Sequence, residues 1–219
     1  MNEFFSKKSL RLGAHLGSSK IHPWMFQFIQ GFRNKLGVLR FQETVLLLNK
    51  ALFFIHHVLQ HNGNILLVNT DPKYSKVVKE AAARTNQHYV NENWVGGLLT
   101  NWQQMRISLN FFQKFEQHFH HFLLQENIVF PKYNKAKRRF QGMTTMKKQP
   151  DVIILFQVTG NEAILKEAKT LKIPTVALVA TTVDGGLIDF PVPVNDNSLR
   201  FIHFFCHLLV KLSNKSSLE

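Results

Sequence analysis

Short continuous apolar runs alternate with amphipathic helical patterns along most of this chain, and this alternation limits the fold more than any other feature. Ile65–Val68, Asp151–Phe156 and Thr175–Val179 are apolar runs of the kind that is buried on both faces of a parallel sheet. Helical patterns separate them, and the clearest places apolar residues at three- and four-residue spacing from Thr44 to His61. The order of strands and helices predicts a three-layer α/β domain with a mostly parallel sheet.

The pattern changes between Thr100 and Pro150, where an aromatic helical stripe is followed by a run of basic residues. The stripe consists of Leu109, Phe112, Phe115, Phe119 and Phe122. We predict a helical protrusion inserted between the second and third strands, with the stripe used for packing. The other predicted elements are a helix from Lys73 to Thr85, a strand at His88–Val90, a helix capped by Asn161 and ending at Leu171, and a last helix starting near Asn197.

The excess positive charge of the chain is confined to two segments. The net charge is +13; residues 1–40 contribute +6 and residues 103–149 contribute +7, so the rest of the chain is balanced. We therefore divide the chain into a basic N-terminal extension (1–40), an α/β core (41–102 and 150–212), a basic protrusion (103–149) and a polar tail (213–219). Clustered charge of this kind indicates a polyanionic partner, most simply nucleic acid; a highly charged, solvated surface is the alternative.

Several classes of protein are disfavoured by what the sequence lacks. No apolar stretch approaches the roughly 18 residues that a bilayer span requires, and the single cysteine, Cys206, excludes an internal disulfide. The turn after Val68 lacks the glycines of a dinucleotide site, and neither a phosphate-binding loop nor a Gly-x-Ser-x-Gly nucleophile motif occurs. His118 and His121 share a helix face, but no carboxylate–histidine pattern accompanies them. We expect no enzyme activity, no cofactor, no metal, no membrane and no small-molecule substrate.

Basic residues interleaved with aromatic ones supply the candidate nucleic-acid contacts, since cations contact phosphates and rings stack on bases. The candidates in the N-terminal segment are Lys7, Lys8, Arg11, His15, Lys20, Trp24, Arg33, Asn34, Lys35 and Arg40. Those in the protrusion are Lys132, Lys135, Lys137, Arg138 and Arg139, with Tyr133 and Phe140 among them. No helix-turn-helix, zinc-finger or RRM signature is present, and the loose arrangement suits structured RNA better than base-specific DNA recognition.

Three ordered motifs resemble signatures of the bacterial-type small-subunit ribosomal protein 2 family. The first is Gly13-Ala14-His15-Leu16-Gly17, followed by Pro23-x-Met25 and Gly31-x-Arg33-Asn34. The second is Trp94-Val95-Gly96-Gly97-Leu98-Leu99-Thr100-Asn101, and the third runs from Leu187 through Asp189, Pro191, Pro193 and Asn195 to Arg200. The matches cover almost the whole chain and together are highly specific.

The resemblance implies a flavodoxin-like five-stranded parallel sheet with a helical protrusion, and no catalysis. It also implies a place between the head and body of the small subunit, held by ribosomal RNA beside other ribosomal proteins. The residues expected to be architectural are Trp94, Gly96, Gly97, Thr100, Asn101, Asp189, Pro191, Pro193 and Asn195, with Asn101 as a helix cap. The chain departs from the family pattern at Ser18 (usually histidine), Lys35 (usually glycine), Arg40 (usually aspartate) and Ala180 (often an acid).

The composition and these departures indicate a diverged organellar copy. Twenty phenylalanines and a changed charge pattern favour a mitochondrial member over a plastid or bacterial one. Two other functions remain open at this point. One is a Rossmann-like enzyme or binding protein for a phosphorylated small molecule, with its site at Thr70 and Thr181–Gly186. The other is a protein-docking platform that uses exposed phenylalanines in Phe111–Phe122.

Overall fold

The computed structural model describes residues 12–92, 94–119 and 131–216. The strands are β1 (Ile29–Arg33), β2 (Leu36–Leu39), β3 (Ile65–Val68), β4 (His88–Val90), β5 (Val152–Leu155), β6 (Thr175–Val179) and β7 (Phe190–Pro193). The α-helices are α1 (Phe41–Gln60), α2 (Ser75–Thr85), α3 (Trp102–His118), α4 (Pro131–Phe140), α5 (Glu162–Thr170) and α6 (Leu199–Ser216). Short 3-10 helices occupy Pro23–Phe28 and Pro72–Tyr74.

The central sheet has five parallel strands in the order β4-β3-β5-β6-β7. Counted along the core alone, this is the order 2-1-3-4-5 of flavodoxin-like folds, so the predicted fold class is confirmed. Every residue of β3, β5 and β6 is buried, as their continuous apolar sequences require. The helices α3 and α4 come between β4 and β5, where the inserted protrusion was predicted.

Two separate apolar cores cover the two faces of this sheet. The first face packs against α1, α2 and α6, and α1 contributes Leu48, Leu52, Ile55 and Leu59 of the predicted stripe; Val45, its first residue, is also buried. The second face packs against α5 through Ile164, Leu165 and Ala168, and against parts of the N-terminal segment and of the protrusion. The chain is therefore a three-layer α/β structure whose second outer layer is assembled from three distant stretches of sequence.

An antiparallel hairpin, β1–β2, lies in the N-terminal segment and was not predicted. Arg33 pairs with Leu36, so the loop has only two residues, Asn34 and Lys35. Both have positive φ, at 49° and 65°, as a type I′ turn requires. The sequence signal was weak because such turns usually carry glycine, and a lysine in this conformation is strained.

Two predicted side-chain helix caps are wrong, although both residues sit at the N-cap positions. Asn101 precedes α3 and Asn161 precedes α5, yet neither side chain bonds to its helix. Their ψ angles, 46° and 18°, lie outside the extended region from which a cap reaches the first turn. The amide of Asn161 donates instead to Thr70 Oγ1 at 2.9 Å and to the Gln157 carbonyl at 3.0 Å.

Both edges of the sheet are blocked against further strand pairing. At one edge, β7 carries Pro191 and Pro193, which have no N–H to offer a neighbouring strand. At the other edge, the N–H of Tyr89 in β4 donates to the Gly142 carbonyl at 3.0 Å as the chain returns from the protrusion. A side chain at Gly142 would meet the Tyr89 carbonyl, so the close approach requires glycine. Within the described ranges, no helix is long and apolar enough to cross a bilayer.

Candidate nucleic-acid interface

The first sequence motif, around Gly13–Gly17, is fixed at the carboxyl ends of β6 and β7. The N–H of Asn195 donates to the Ala14 carbonyl at 3.0 Å, and the hydroxyl of Ser198 donates to the Leu12 carbonyl at 2.6 Å. The N–H of Ser18 donates to Thr181 Oγ1 at 2.8 Å. The N-terminal and C-terminal motifs therefore support each other across more than 160 residues of chain.

The third motif also ties the sheet and the first helix together. Asp189 Oδ2 accepts from the N–H of Thr175 at 2.8 Å and from its hydroxyl at 3.0 Å, which joins the beginnings of β6 and β7. The Pro193 carbonyl accepts from the hydroxyl of Thr44 on α1 at 2.8 Å. Each of these contacts holds secondary structure in place.

Two of the RNA-binding candidates in the N-terminal segment are half-buried. The ring of Trp24 packs at a tilt against Phe28, with ring centres 5.1 Å apart, and covers Gly185, where an added Cβ would lie about 2.3 Å from the indole. The side chain of His15 is half-buried, and its Nδ1 has no hydrogen-bond partner in the described structure. Trp24 thus has a packing contact that accounts for its position.

The exposed candidates of this segment are Lys20, Arg33, Asn34, Lys35 and Arg40. Three of them, Arg33, Asn34 and Lys35, form the tip of the β1–β2 hairpin, so two exposed cations, Arg33 and Lys35, lie two residues apart at a tight turn. Arg40 begins α1, and its guanidinium lies 3.5 Å from the Ile29 carbonyl. Lys7, Lys8 and Arg11 lie outside the described residues.

The sequence predicts Lys35 as an RNA contact, so replacing it by glycine should stabilise the fold and weaken RNA binding. Lysine in the left-handed conformation costs roughly 1 kcal/mol of strain, which glycine avoids. The greater freedom of glycine in the unfolded chain offsets about half of this gain, so the free energy of unfolding should rise by about 0.5 kcal/mol. Loss of the charge should lower RNA affinity. Urea unfolding and RNA titration measure the two effects. Lys35→Gln is the control, because it removes the charge but keeps the strain; a gain in its stability would contradict the account.

The second set of candidates lies on α4. Lys135 and Arg138 are exposed, and Arg139 is half-buried. Lys137 Nζ lies 3.9 Å from Glu116 Oε1 and 5.6 Å from the centre of the Tyr133 ring, so it is partly engaged within the protrusion. The side chain of Lys132 lies outside the described residues.

The protrusion is held together by an aromatic seam between α3 and α4. The ring of Phe112 packs against Tyr133 and Phe140, each with ring centres 5.8 Å apart, and Phe115 also packs against Tyr133. The hydroxyl of Tyr133 donates to Glu116 at 2.7 Å; burial and this bond raise the pKa of Tyr133 to about 12. The predicted packing role of the stripe is confirmed for Phe112 and Phe115, and Phe122 lies outside the described residues. Phe111, which is not part of the stripe, is 71% exposed.

Residues 25–39 of the N-terminal segment and the described part of the protrusion pack on the same face of the sheet. Met25, Ile29 and Leu39 from the N-terminal segment share one apolar core with Leu109 and Met143 from the protrusion and its return. The helices α1, α2 and α6 cover the opposite face. The structure therefore places the β1–β2 hairpin and the described part of the protrusion, which are both basic and far apart in the sequence, at the same face of the sheet.

The second motif, Trp94–Asn101, is organised by a carboxylate that the sequence analysis did not identify. One oxygen of Glu167, on α5, accepts from the indole N–H of Trp94 at 3.0 Å and from the N–H of Gly97 at 2.8 Å. The other oxygen accepts from the N–H groups of Leu99 and Thr100 at 3.0 and 3.2 Å, and from the Thr100 hydroxyl at 3.4 Å. The loop that leads into α3 thus folds around a single negative charge.

These contacts also set the protonation of Glu167. Its partial burial acts to raise the pKa and is the largest single influence, but the hydrogen bonds from Trp94, Gly97, Leu99 and Thr100 together outweigh it. The pKa of Glu167 therefore lies below its ordinary value. A loop rich in glycine and free N–H groups could have suggested an anion in its centre. Nothing in the sequence indicated that the anion comes from a residue about 70 positions away.

The carboxyl edge of the sheet offers little to a phosphorylated small molecule. In this fold a ligand normally binds where the strand order reverses, here between β3 and β5, and there the Asn161 amide already donates to Thr70 Oγ1. In the loop after β6, Thr181 holds the N-terminal segment and the Gly186 N–H donates to Asp184. A cavity of about 280 Å³ nearby is lined by the buried Asp196, whose charge would repel phosphate.

Metal-ligand geometry is likewise absent from the part of the chain that the structure describes. No group of three or more histidine, cysteine, aspartate or glutamate side chains there could hold an ion. Cys206 is buried, and burial raises the pKa of its thiol to about 12. A thiol held in its neutral form is a poor metal ligand and a poor nucleophile.

Comparison with known proteins identifies relatives along nearly the whole chain. A family model described as Ribosomal protein S2 matches residues 9–215. Small ribosomal subunit protein uS2m of Marchantia polymorpha is 35% identical over 212 residues, covering 94% of this chain and 89% of the relative. The uS2 proteins of Rhizorhabdus wittichii and Ehrlichia ruminantium (strain Gardel) are 32% and 30% identical, covering 95% and 94% of this chain and 86% and 75% of the relatives.

Proposed function

Because the chain belongs to the ribosomal protein S2 family, and is thus a structural constituent of the small ribosomal subunit and not an enzyme, we propose that it binds small-subunit ribosomal RNA through one face of its sheet. We name this the basic face and define it by the exposed cations Lys20, Arg33, Lys35, Lys135 and Arg138. The observation that carries the proposal is the shared core that brings the hairpin and the protrusion to this side.

The cations of the basic face are free to contact phosphate. Among the described residues, ion pairs involve Arg84, Lys137 and Lys148, and none involves Arg33, Lys35, Lys135 or Arg138. Exposed charges without a protein partner lose little on binding a polyanion, and each phosphate they neutralise releases counterions. Contacts of this kind recognise the shape and backbone of folded RNA, as a structural component requires.

We extend the proposal to the setting of the protein. It would lie between the head and body of the small subunit, beside other ribosomal proteins, as the family resemblance implies. Its similarity to the Marchantia polymorpha protein uS2m supports a mitochondrial location, while bacterial uS2 proteins show comparable similarity. The expected division into basic extension, core and protrusion belongs to the same proposal, with the two basic parts contacting RNA. The small-molecule alternative finds no support in these relatives.

Neutralising cations on the basic face should reduce the salt dependence of RNA binding. Arg33→Gln with Lys35→Gln, and separately Lys135→Gln with Arg138→Gln, each remove two predicted phosphate contacts. Each pair should flatten the slope of log affinity against log salt by about 1.4 to 1.8, since one contact contributes roughly 0.7 to 0.9. The affinity of the full chain for transcribed small-subunit ribosomal RNA is measured from 50 to 300 mM salt, and the same variants are followed into small subunits by sedimentation.

The matched control removes two cations from the opposite face. Lys76 and Lys79 are exposed on α2, so Lys76→Gln with Lys79→Gln changes the net charge equally without touching the basic face. Its slope should remain within error of that of the unaltered protein. If the α2 double variant flattened the salt-dependence slope as much as the basic-face double variants, net charge alone would drive binding. That result would overturn the proposed surface.

A further inference from the structure

The tip of the β1–β2 hairpin carries an aromatic side chain that the fold leaves uncovered. Phe32 is 63% exposed. The residue directly opposite it on β2 is Gly37, which has no side chain to lay across the ring. Removing a phenylalanine ring from water stabilises a fold, so this exposed ring forgoes stabilisation that the fold could have used. Its exposure points to a contact with something outside the chain.

The charged residues near Phe32 in the sequence are all cationic. Arg33 follows it directly, and Lys35 lies two residues further along the turn. No aspartate or glutamate occurs between residues 12 and 42 of the sequence. Lys35 also keeps a positive φ of 65°, although glycine would adopt that conformation without strain. A positive charge is thus held at the tip of the turn at a conformational cost.

We propose that this hairpin tip binds an unpaired nucleotide of RNA, with the Phe32 ring stacked on the base and Arg33 and Lys35 contacting the flanking phosphates. The inference rests on the proposed RNA-binding function and adds the kind of RNA that one part of the basic face recognises. Base stacking on an aromatic ring combined with phosphate neutralisation is the usual chemistry of single-strand binding.

An unpaired nucleotide fits this tip better than a duplex does. In an A-form duplex the bases are stacked on each other and their faces cannot reach a protein ring. A bulge, loop or strand end exposes a base face and leaves phosphates on both sides of it. The same arrangement argues against a protein partner with an apolar patch, because Arg33 and Lys35 would then be brought close to an apolar surface without compensation.

The test compares single-stranded and paired RNA probes on the full chain. The probes are a 12-nucleotide RNA with 2-aminopurine at its centre and a 12-base-pair RNA duplex. Phe32→Ala should weaken single-strand binding by about tenfold or more and abolish the stacking-induced fluorescence change, while duplex affinity stays constant. Phe32→Trp should retain both signals. Phe32→Leu, which keeps an apolar side chain without a ring, should behave like the alanine variant.

The control is Phe53→Ala, since Phe53 is 74% exposed but lies on α1 at the opposite face. Single-strand binding by this variant should equal that of the unaltered chain. The inference is overturned if Phe32→Leu binds the single-stranded probe as well as the unaltered chain does, or if Phe32→Ala binds it with unchanged affinity. In either case the protein still binds RNA, so the proposed function stands. If the unaltered chain binds neither of the two probes nor ribosomal RNA, both this inference and the proposed function are overturned.

A second measurement uses the assembled particle. With p-benzoylphenylalanine at position 32, irradiated small subunits should yield a crosslink to ribosomal RNA that maps to an unpaired nucleotide. A crosslink to another ribosomal protein, or to a base-paired stretch of RNA, would contradict the inference.

Discussion

Glu167→Gln is expected to lower the free energy of unfolding by about 2–3 kcal/mol. The carboxylate accepts hydrogen bonds from four N–H groups and one hydroxyl of the Trp94–Thr100 loop. Glutamine keeps one oxygen but turns an amide NH₂ toward two or three of those donors. Either the half-buried donors of Trp94 and Gly97, or those of the buried Leu99 and the exposed Thr100, then lose their acceptor. A charged hydrogen bond is worth roughly 1.5–3 kcal/mol and an unsatisfied buried donor costs about 1–3 kcal/mol, with incomplete additivity.

The effect should depend on pH in a defined direction. Since the pKa of Glu167 is lower in the folded state than in the unfolded state, its ionised form stabilises the fold. This contribution is fully present above the unfolded pKa, roughly 4.3, and is lost as the pH falls through the lower folded value. The difference between the variant and the unaltered protein should therefore be largest near pH 7 and shrink steadily below about pH 4.

Urea unfolding at pH 7 and pH 3.5 measures this difference, and amide hydrogen exchange at Leu99 and Thr100 locates it. Glu162→Gln is the control on the same helix, because the exposed Glu162 accepts one bond, from Gly160 at 3.2 Å. Glu162→Gln should lower the free energy of unfolding by no more than about 0.5 kcal/mol. Equal losses in the two variants, or unchanged exchange at Leu99, would refute a central role for Glu167.

Asp196→Asn is expected to raise the stability of the protein at neutral pH by about 2 kcal/mol. Asp196 is only 4% exposed, and burial is the main reason that its pKa rises to about 6. A hydrogen bond from its own N–H opposes the rise and the nearby charge of Asp71 adds to it. At pH 7.5 the folded chain must hold this carboxylate ionised in a buried place, and asparagine removes that cost.

The sign follows from proton linkage. The folded state holds the Asp196 proton more tightly than the unfolded state, whose pKa is about 3.9, so the fold loses stability as pH rises from about 4 to 6. The full cost, about 2–3 kcal/mol, applies above pH 6. At pH 4.5 the cost of the buried carboxylate should fall to about 1 kcal/mol or less, and the stability gained by Asp196→Asn should fall with it.

Thermal unfolding at the two pH values measures the change, which should amount to several degrees in melting temperature at pH 7.5 for a chain of this length. Glu80→Gln serves as the control, because the Glu80–Arg84 pair is a surface pair with both side chains 62% exposed, and such pairs contribute little. A destabilised Asp196→Asn variant at pH 7.5 would show that the ionised carboxylate makes contacts worth more than its burial costs.

The Glu167 loop matters for function because it sets the root of the protrusion. The loop ends at Thr100, and α3 begins two residues later. A loosened loop would let α3 and α4 shift relative to the sheet, and the basic face would lose the fixed spacing between hairpin and protrusion. Binding of folded RNA by shape requires that spacing.

The sequence by itself determined the layers of the fold and the place of the charge. Runs such as Ile65–Val68 cannot be solvated, and strands separated by helices can pair in parallel only through crossovers, so the three-layer sheet followed from local pattern. The two basic segments were found by counting. The family resemblance supplied the strand order and the ribosomal role, which local pattern alone could not.

Tertiary structure alone decided how the motifs are held and which side chains are left exposed. Glu167 bonds to residues 67 to 73 positions away, and no local periodicity encodes a contact of that separation. The β1–β2 hairpin escaped prediction because Lys35 occupies a turn position that glycine normally marks. Trp24 and Phe32 are both aromatic residues of the N-terminal segment, yet one ring covers Gly185 and the other is exposed, because burial depends on what the rest of the chain brings alongside.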